Sequence, residues 1–97
     1  MMNSMANGTA RPRFRSKVRL RLDRHTGQYI LLYPERGLEL NQTAAEIARL
    51  CTGEWTINAI EQHLARTYVD VSPHEIKREV LQFLNALAGR GLMQGLS

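Results

Sequence analysis

The sequence predicts an α+β domain in which a three-stranded antiparallel sheet is followed by three helices. Three observations carry that expectation. Apolar residues alternate with a period of two over residues 14–22, and β-forming residues crowd into residues 28–33. From Asn41 onward the apolar spacing changes to three and four, the period of an amphipathic helix. At 97 residues the chain has room for one modest core and not for two.

Residues 1–12 open with MMNSMANGTA, which is small, polar and without period, and read as a flexible extension to a domain spanning residues 13–97. In the first strand Phe14, Val18, Leu20 and Leu22 share one face, and Arg15, Lys17, Arg19 and Arg21 share the other. Residues 23–27 form a turn, with Gly27 available for positive φ. The more continuously apolar QYILLY suits a central strand, and Pro34 ends it for want of a ladder donor. Residues 35–37 turn the chain into a short third strand, Leu38, Glu39 and Leu40, with both leucines on one face.

The helices announce themselves by their caps. Thr43 and Glu46 have capping-box spacing, while Asn41 is a competing cap, and Ala44, Ile47, Leu50 and Cys51 give an apolar stripe that stops near Gly53. Thr56 caps the second helix between the staple positions Trp55 and Ile60, with Ile57, Ile60, Leu64 and Tyr68 inward. Ser72-Pro73-His74-Glu75 is the clearest start: a cap, a proline at the first helical position and a box-closing acid. The third helix buries Ile76, Val80, Phe83, Leu84 and Leu87. It ends at Gly89 or Gly91, with Leu92 and Met93 folding back.

Composition narrows the function. No apolar run approaches the roughly 20 residues of a membrane span, and no secretory signal pattern opens the chain. A single cysteine makes no intramolecular disulfide, so a cytoplasmic location without membrane attachment is expected. The net charge is +4, yet seven of the thirteen Lys and Arg residues lie between Arg11 and Arg24, leaving the remainder mildly acidic. Such a strip is either a solvated strand face or an attractor of acidic partners.

Catalytic chemistry finds no purchase. Cys51 falls on a helix stripe as a small buried hydrophobe. His25, His63 and His74 sit on separate elements without ligand spacing, the glycines cradle no phosphate, and no acid–base pair emerges. The chain is therefore expected not to be an enzyme and to need no metal and no cofactor. Trp55 is explained by the staple before any ligand stacking.

Two binding readings remain. One is a small winged helix-turn-helix protein that binds nucleic acid through its third helix. The N-terminal half of that helix, His74-Glu75-Ile76-Lys77-Arg78-Glu79, is mixed in sign, which disfavours a DNA reader, so no nucleic-acid partner is expected. The other is peptide capture by strand addition. The first strand defends its edge with Arg and Lys, whereas Leu38–Glu39–Leu40 leaves its edge open, with Leu81, Arg78 and Gln82 of the third helix as a second wall. The plainer alternative makes Leu81 second-layer core and covers the strand with the helix.

The combination Tyr33-Pro34-Glu35, Leu40-Asn41, Gly53 and Thr56, in order and spacing within residues 14–93, resembles the PqqD family of pyrroloquinoline quinone biosynthesis. That resemblance implies a winged-helix-like RiPP recognition element, which is a peptide chaperone and no enzyme. It implies binding of the leader of the precursor peptide PqqA, and presentation to the radical SAM enzyme PqqE, which cross-links a glutamate and a tyrosine of the peptide. Leader binding at the third strand and third helix maps onto Leu38, Glu39, Leu40, Lys77, Arg78 and Leu81, with Gln82 beside them. Lys77 and Arg78 would then favour an acidic leader. Thr52 departs from the pattern, standing where relatives often carry an acid before the glycine.

Overall fold

The computed structural model describes residues 8–34 and 36–96. The chain runs β1 (Arg13–Phe14), β2 (Arg19–Asp23), β3 (Gln28–Tyr33), β4 (Arg36–Leu40), α1 (Gln42–Leu50), α2 (Ile57–Thr67), α3 (Pro73–Gly89) and β5 (Met93–Gln94). As the alternation predicts, β2, β3 and β4 form an antiparallel meander in that spatial order. Leu20, Leu31 and Leu38 align across the three strands, as do Leu22, Tyr29 and Leu40. Leu31 and Leu40 are buried and α1 packs on β3 and β4, so this is the face the helices cover. Leu22 keeps the phase of that face but lies beyond the helices and is 50% exposed.

The caps settle where the helices begin. Ser72 Oγ accepts from the Glu75 N–H, and Thr56 Oγ1 from the Ala59 N–H. Each such cap is worth about 1 kcal/mol. At α1 the choice falls on Asn41, whose Oδ1 accepts from the Ala44 N–H at 2.8 Å. The box expected from Thr43 and Glu46 does not form. Glu46 instead pairs with Arg49 at 2.9 Å and with His63 Nε2 of α2 at 3.1 Å, and the His63 ring meets Trp55 edge-on. At the far end of α3, Gly91 takes φ 74° and the Leu92 N–H bonds the Leu87 carbonyl, closing a Schellman turn that returns Leu92 and Met93 to the core.

Three expectations are corrected. The single strand over residues 14–22 is broken: Arg13 and Phe14 pair with Gln94 and Met93 in a separate two-stranded ribbon, and a turn closed by the Val18 N–H on the Arg15 carbonyl precedes β2. The third strand begins at Arg36, so Gly37 belongs to the ladder opposite Leu32; Glu35 lies outside the described residues. Of the extension, residues 1–7 lie outside the described residues as well, whereas residues 8–12 are packed. Ala10 and Pro12 are buried, and the carbonyls of Gly8 and Ala10 accept from the N–H groups of Asn58 and Ile57, each at 2.9 Å. The physical reason is local: the first turn of a helix has N–H groups without intrahelical partners, and this strap supplies their acceptors at α2.

The helices bury Ile47, Ile57, Ile60, Leu64, Ile76, Val80, Leu84 and Leu87 in one cluster with Leu31 and Leu40. Cys51 belongs to it, its thiol donating to the Ile47 carbonyl at 3.3 Å and pushed up to about 12 by burial. It is a core residue and not a nucleophile. No helix of the described residues is long and apolar enough to cross a membrane.

Candidate peptide-binding edge

β4 is an outer strand of the meander, paired on one side only with β3. Among the described residues the backbone of Arg36–Leu40 makes no hydrogen bond outside that ladder. An edge strand leaves every second N–H and C=O pointing away from its neighbour. Leu38 and Leu40 turn inward, half-buried and buried respectively, while Glu39 is exposed on the outer face beside Ile30. Leu40 leads through the cap Asn41 straight into α1, so the strand's end is held by the helix it starts.

At that end a groove of about 480 Å³ opens between the start of α1 and α3. Ala44, Ile47 and Phe83 form its apolar surface, and Arg78, Glu79 and Gln82 its rim. Arg78 donates to the Glu75 carboxylate one turn earlier. That bond holds the Glu75 carboxyl below the usual carboxylate range and pushes the Arg78 guanidinium up. The cation on this wall is therefore already engaged, and Glu79 stands beside it. The wall offers an apolar slot with a mixed rim and does not form a positive face.

The helix residues singled out from sequence divide into two groups. Arg78 and Gln82, one helical turn apart, both line the groove beside the end of β4. Lys77 is turned by about 100° and lines a different groove, between α2 and α3, with Glu61 and Pro73. The Glu61 carboxyl there is raised by burial, with Lys77 pulling the other way. Leu81 follows Lys77 on the same row and is half-buried against the core. Phe83, expected in the core, is half-buried and forms part of the groove. Its place at the rim of the apolar stripe, next to polar Gln82 and four residues after Glu79, is the signal that marks such a boundary position.

Among the described residues no group of three His, Cys, Asp or Glu side chains is placed to hold a metal ion, and no side-chain polar atom is buried without a partner. Thr52 is exposed, forms an isolated bridge to Arg13 and accepts from the Glu54 N–H.

Fold and site together define a small recognition domain: a sheet with an open edge that runs into a helix-lined groove. The family model for coenzyme PQQ synthesis protein D matches residues 28–93. The chain belongs to the PqqD family, whose members are binding proteins of pyrroloquinoline quinone biosynthesis and not enzymes. It is 33% identical over 85 residues to a PqqA binding protein of Xanthomonas axonopodis, covering 88% of this chain and 91% of that one. It is 35% identical to a PqqA binding protein of Rhodopseudomonas palustris, over 88% of this chain and 82% of the other. It is also 34% identical to the bifunctional coenzyme PQQ synthesis protein C/D of Methylorubrum extorquens, covering 91% of this chain but spanning only 23% of that longer protein. The solution structure of the PqqD truncation of Methylobacterium extorquens PqqCD, described as a functional and stand-alone RiPP recognition element, superposes with a TM-score of 0.77 at 34% identity. That match covers 92% of this chain and 94% of that one.

Proposed function

We propose that this chain is a peptide chaperone that binds the leader of a PqqA-type precursor as a fourth strand on β4 and presents it to the radical SAM enzyme PqqE. The observation that carries the reading is the open edge of β4 ending at a groove with an apolar surface. Backbone pairing along Arg36–Leu40 supplies affinity without regard to sequence, and the slot between α1 and α3 takes one apolar side chain of the peptide. Relatives named for PqqA binding support the choice of ligand. Held this way, the precursor reaches its modifying enzyme as part of a complex, which raises effective concentration and sets orientation. The lone buried cysteine accords with work in the cytoplasm.

The contact set is Leu38, Glu39 and Leu40 on the strand with Arg78 and Gln82 on the helix. Lys77 and Leu81 contribute less, because they lie on the neighbouring helical row. Arg78 is paired with Glu75, so it draws an acidic leader less than its charge alone would.

The test is a titration of fluorescent precursor peptide into the wild type and into Leu38→Pro and Glu39→Pro. In an edge strand one of two neighbouring N–H groups points outward, and proline there spares the ladder to β3. The variant that keeps the native circular dichroism spectrum should bind at least about tenfold more weakly, the loss of a peptide–backbone hydrogen bond and its strand register. Unchanged affinity in both folded variants would refute strand addition.

A further inference from the structure

The helix-covered face of β4 accounts for apolar anchoring, but the outer face of the same strand carries a second pattern. There the register sets out two cross-strand rows, Arg19–Leu32–Gly37 and Arg21–Ile30–Glu39. In each row a basic residue of β2 and an aliphatic residue of β3 lead to a β4 position that a fourth strand would adjoin. Glu39 is exposed, and among the described residues it has no ion pair or hydrogen-bonded side-chain partner. Its lateral neighbour is Ile30, and Arg21 lies one strand further, roughly 10 Å away at the usual strand spacing.

Gly37 presents the opposite situation. A Cβ built there would stand 3.3 Å from Leu32 Cδ2 and 3.6 Å from Ile30 Cγ2. The two aliphatic side chains therefore lean over the glycine toward the open edge. The edge offers an uncovered aliphatic wall at residue 37 and, two residues on along the same face, an unpaired carboxylate at residue 39.

We infer that this outer face selects the bound peptide segment: a cationic side chain sits beside Glu39 and a bulky apolar one over Gly37, separated by one inward residue. The inference rests on the strand-addition reading above and specifies its ligand. Side chains of adjacent strands share the pleat, so residues of the added strand next to positions 37 and 39 both point outward. The residue between them faces inward beside Leu38, and the next inward one lies beside Leu40. The recognised segment thus alternates apolar inward residues with one cation and one large apolar residue outward, whichever way it runs. Gly37 and Glu39 act as specificity-determining residues, and the engaged Arg78 does not.

The test scans the synthetic precursor peptide, replacing each residue in turn by Lys and by Glu, against the full chain and its Glu39→Lys variant. Wild type should prefer Lys over Glu by about threefold to tenfold at one position, the range of a cross-strand charge pair exchanged for a like-charge pair. Glu39→Lys should invert that preference at the same position and nowhere else. Two residues away, a Leu or Trp should outbind Ala in the wild type, and Gly37→Thr should remove most of that gain by covering the wall. If the peptide binds and shifts the amide signals of residues 37–40 but no position inverts with Glu39→Lys, the inference is overturned while strand addition stands. If those amide signals do not move, strand addition itself fails and the inference falls with it.

Discussion

β2 and β4 are each five residues long and pair with the same central strand, yet they meet solvent on different terms. β2 sets Arg19 and Arg21 on its outer face and continues a basic run from Arg11, a row of charge that discourages unwanted pairing. β4 sets Gly37 and Glu39 there and feeds directly into α1 beside a groove. Length therefore does not distinguish the open edge from the defended one. What separates the two is side-chain defence, together with the wall that a neighbouring helix provides on one side only.

The comparison breaks most visibly in the core beneath each edge. Leu40→Ala removes a buried anchor of β4 and should cost about 2–4 kcal/mol in chemical denaturation, whereas Leu22→Ala on β2, half-exposed, should stay within about 0.5 kcal/mol. Equal costs would mean that the helices cover both edges alike. Stripping the defence from β2 by a paired Arg19→Val and Arg21→Val replacement should create a second sticky edge. Sedimentation should then show concentration-dependent self-association beyond that of the wild type.

Cys51 reports on whether α1 stays closed over β3 and β4. Its thiol is held up to about 12 by burial, above the value of an unfolded thiol, so it remains neutral in the native state where the unfolded chain ionises. Stability from this group is intact below about pH 9 and is lost as the pH rises from there toward 12. Alkylation of the native protein at pH 8 should accordingly follow global unfolding, measured as a labelling rate that rises in step with denaturant. The smallest effect is expected at Arg78→Ala. Because Glu75 already engages the guanidinium, precursor affinity should change by less than about threefold, with little salt dependence, the scale of an exposed ion pair.

The sequence revealed most where local chemistry decides. Ser72-Pro73 and Thr56 cap helices as their residue types require, and the glycine after α3 adopts the positive φ that the returning Leu92 demands. It revealed least where distant segments decide. The alternation over residues 14–22 looks unbroken, and only β5, nearly eighty positions on in the chain, pulls Phe14 out of it by pairing Phe14 with Met93. Thr43 and Asn41 were both sound caps for α1. Asn41 takes the cap, and the Glu46 side chain that a Thr43 box would need is paired with Arg49 and with His63 of α2. The strand half of the candidate site was legible because an open edge is a matter of charge placement along the chain. The helix half was legible only to one residue, since a single step turns a side chain by about 100° and only packing shows that Arg78 and Gln82, not Lys77 and Leu81, front the groove.

The central claim is that β4, and not β2, receives the peptide, and an amide-resolved titration with the unlabelled precursor tests it directly. Shifts and slowed hydrogen exchange concentrated in residues 36–41 and 78–83, with residues 19–23 unmoved, are the predicted result. Changes centred on residues 19–23, or spread equally over both edges, would contradict it.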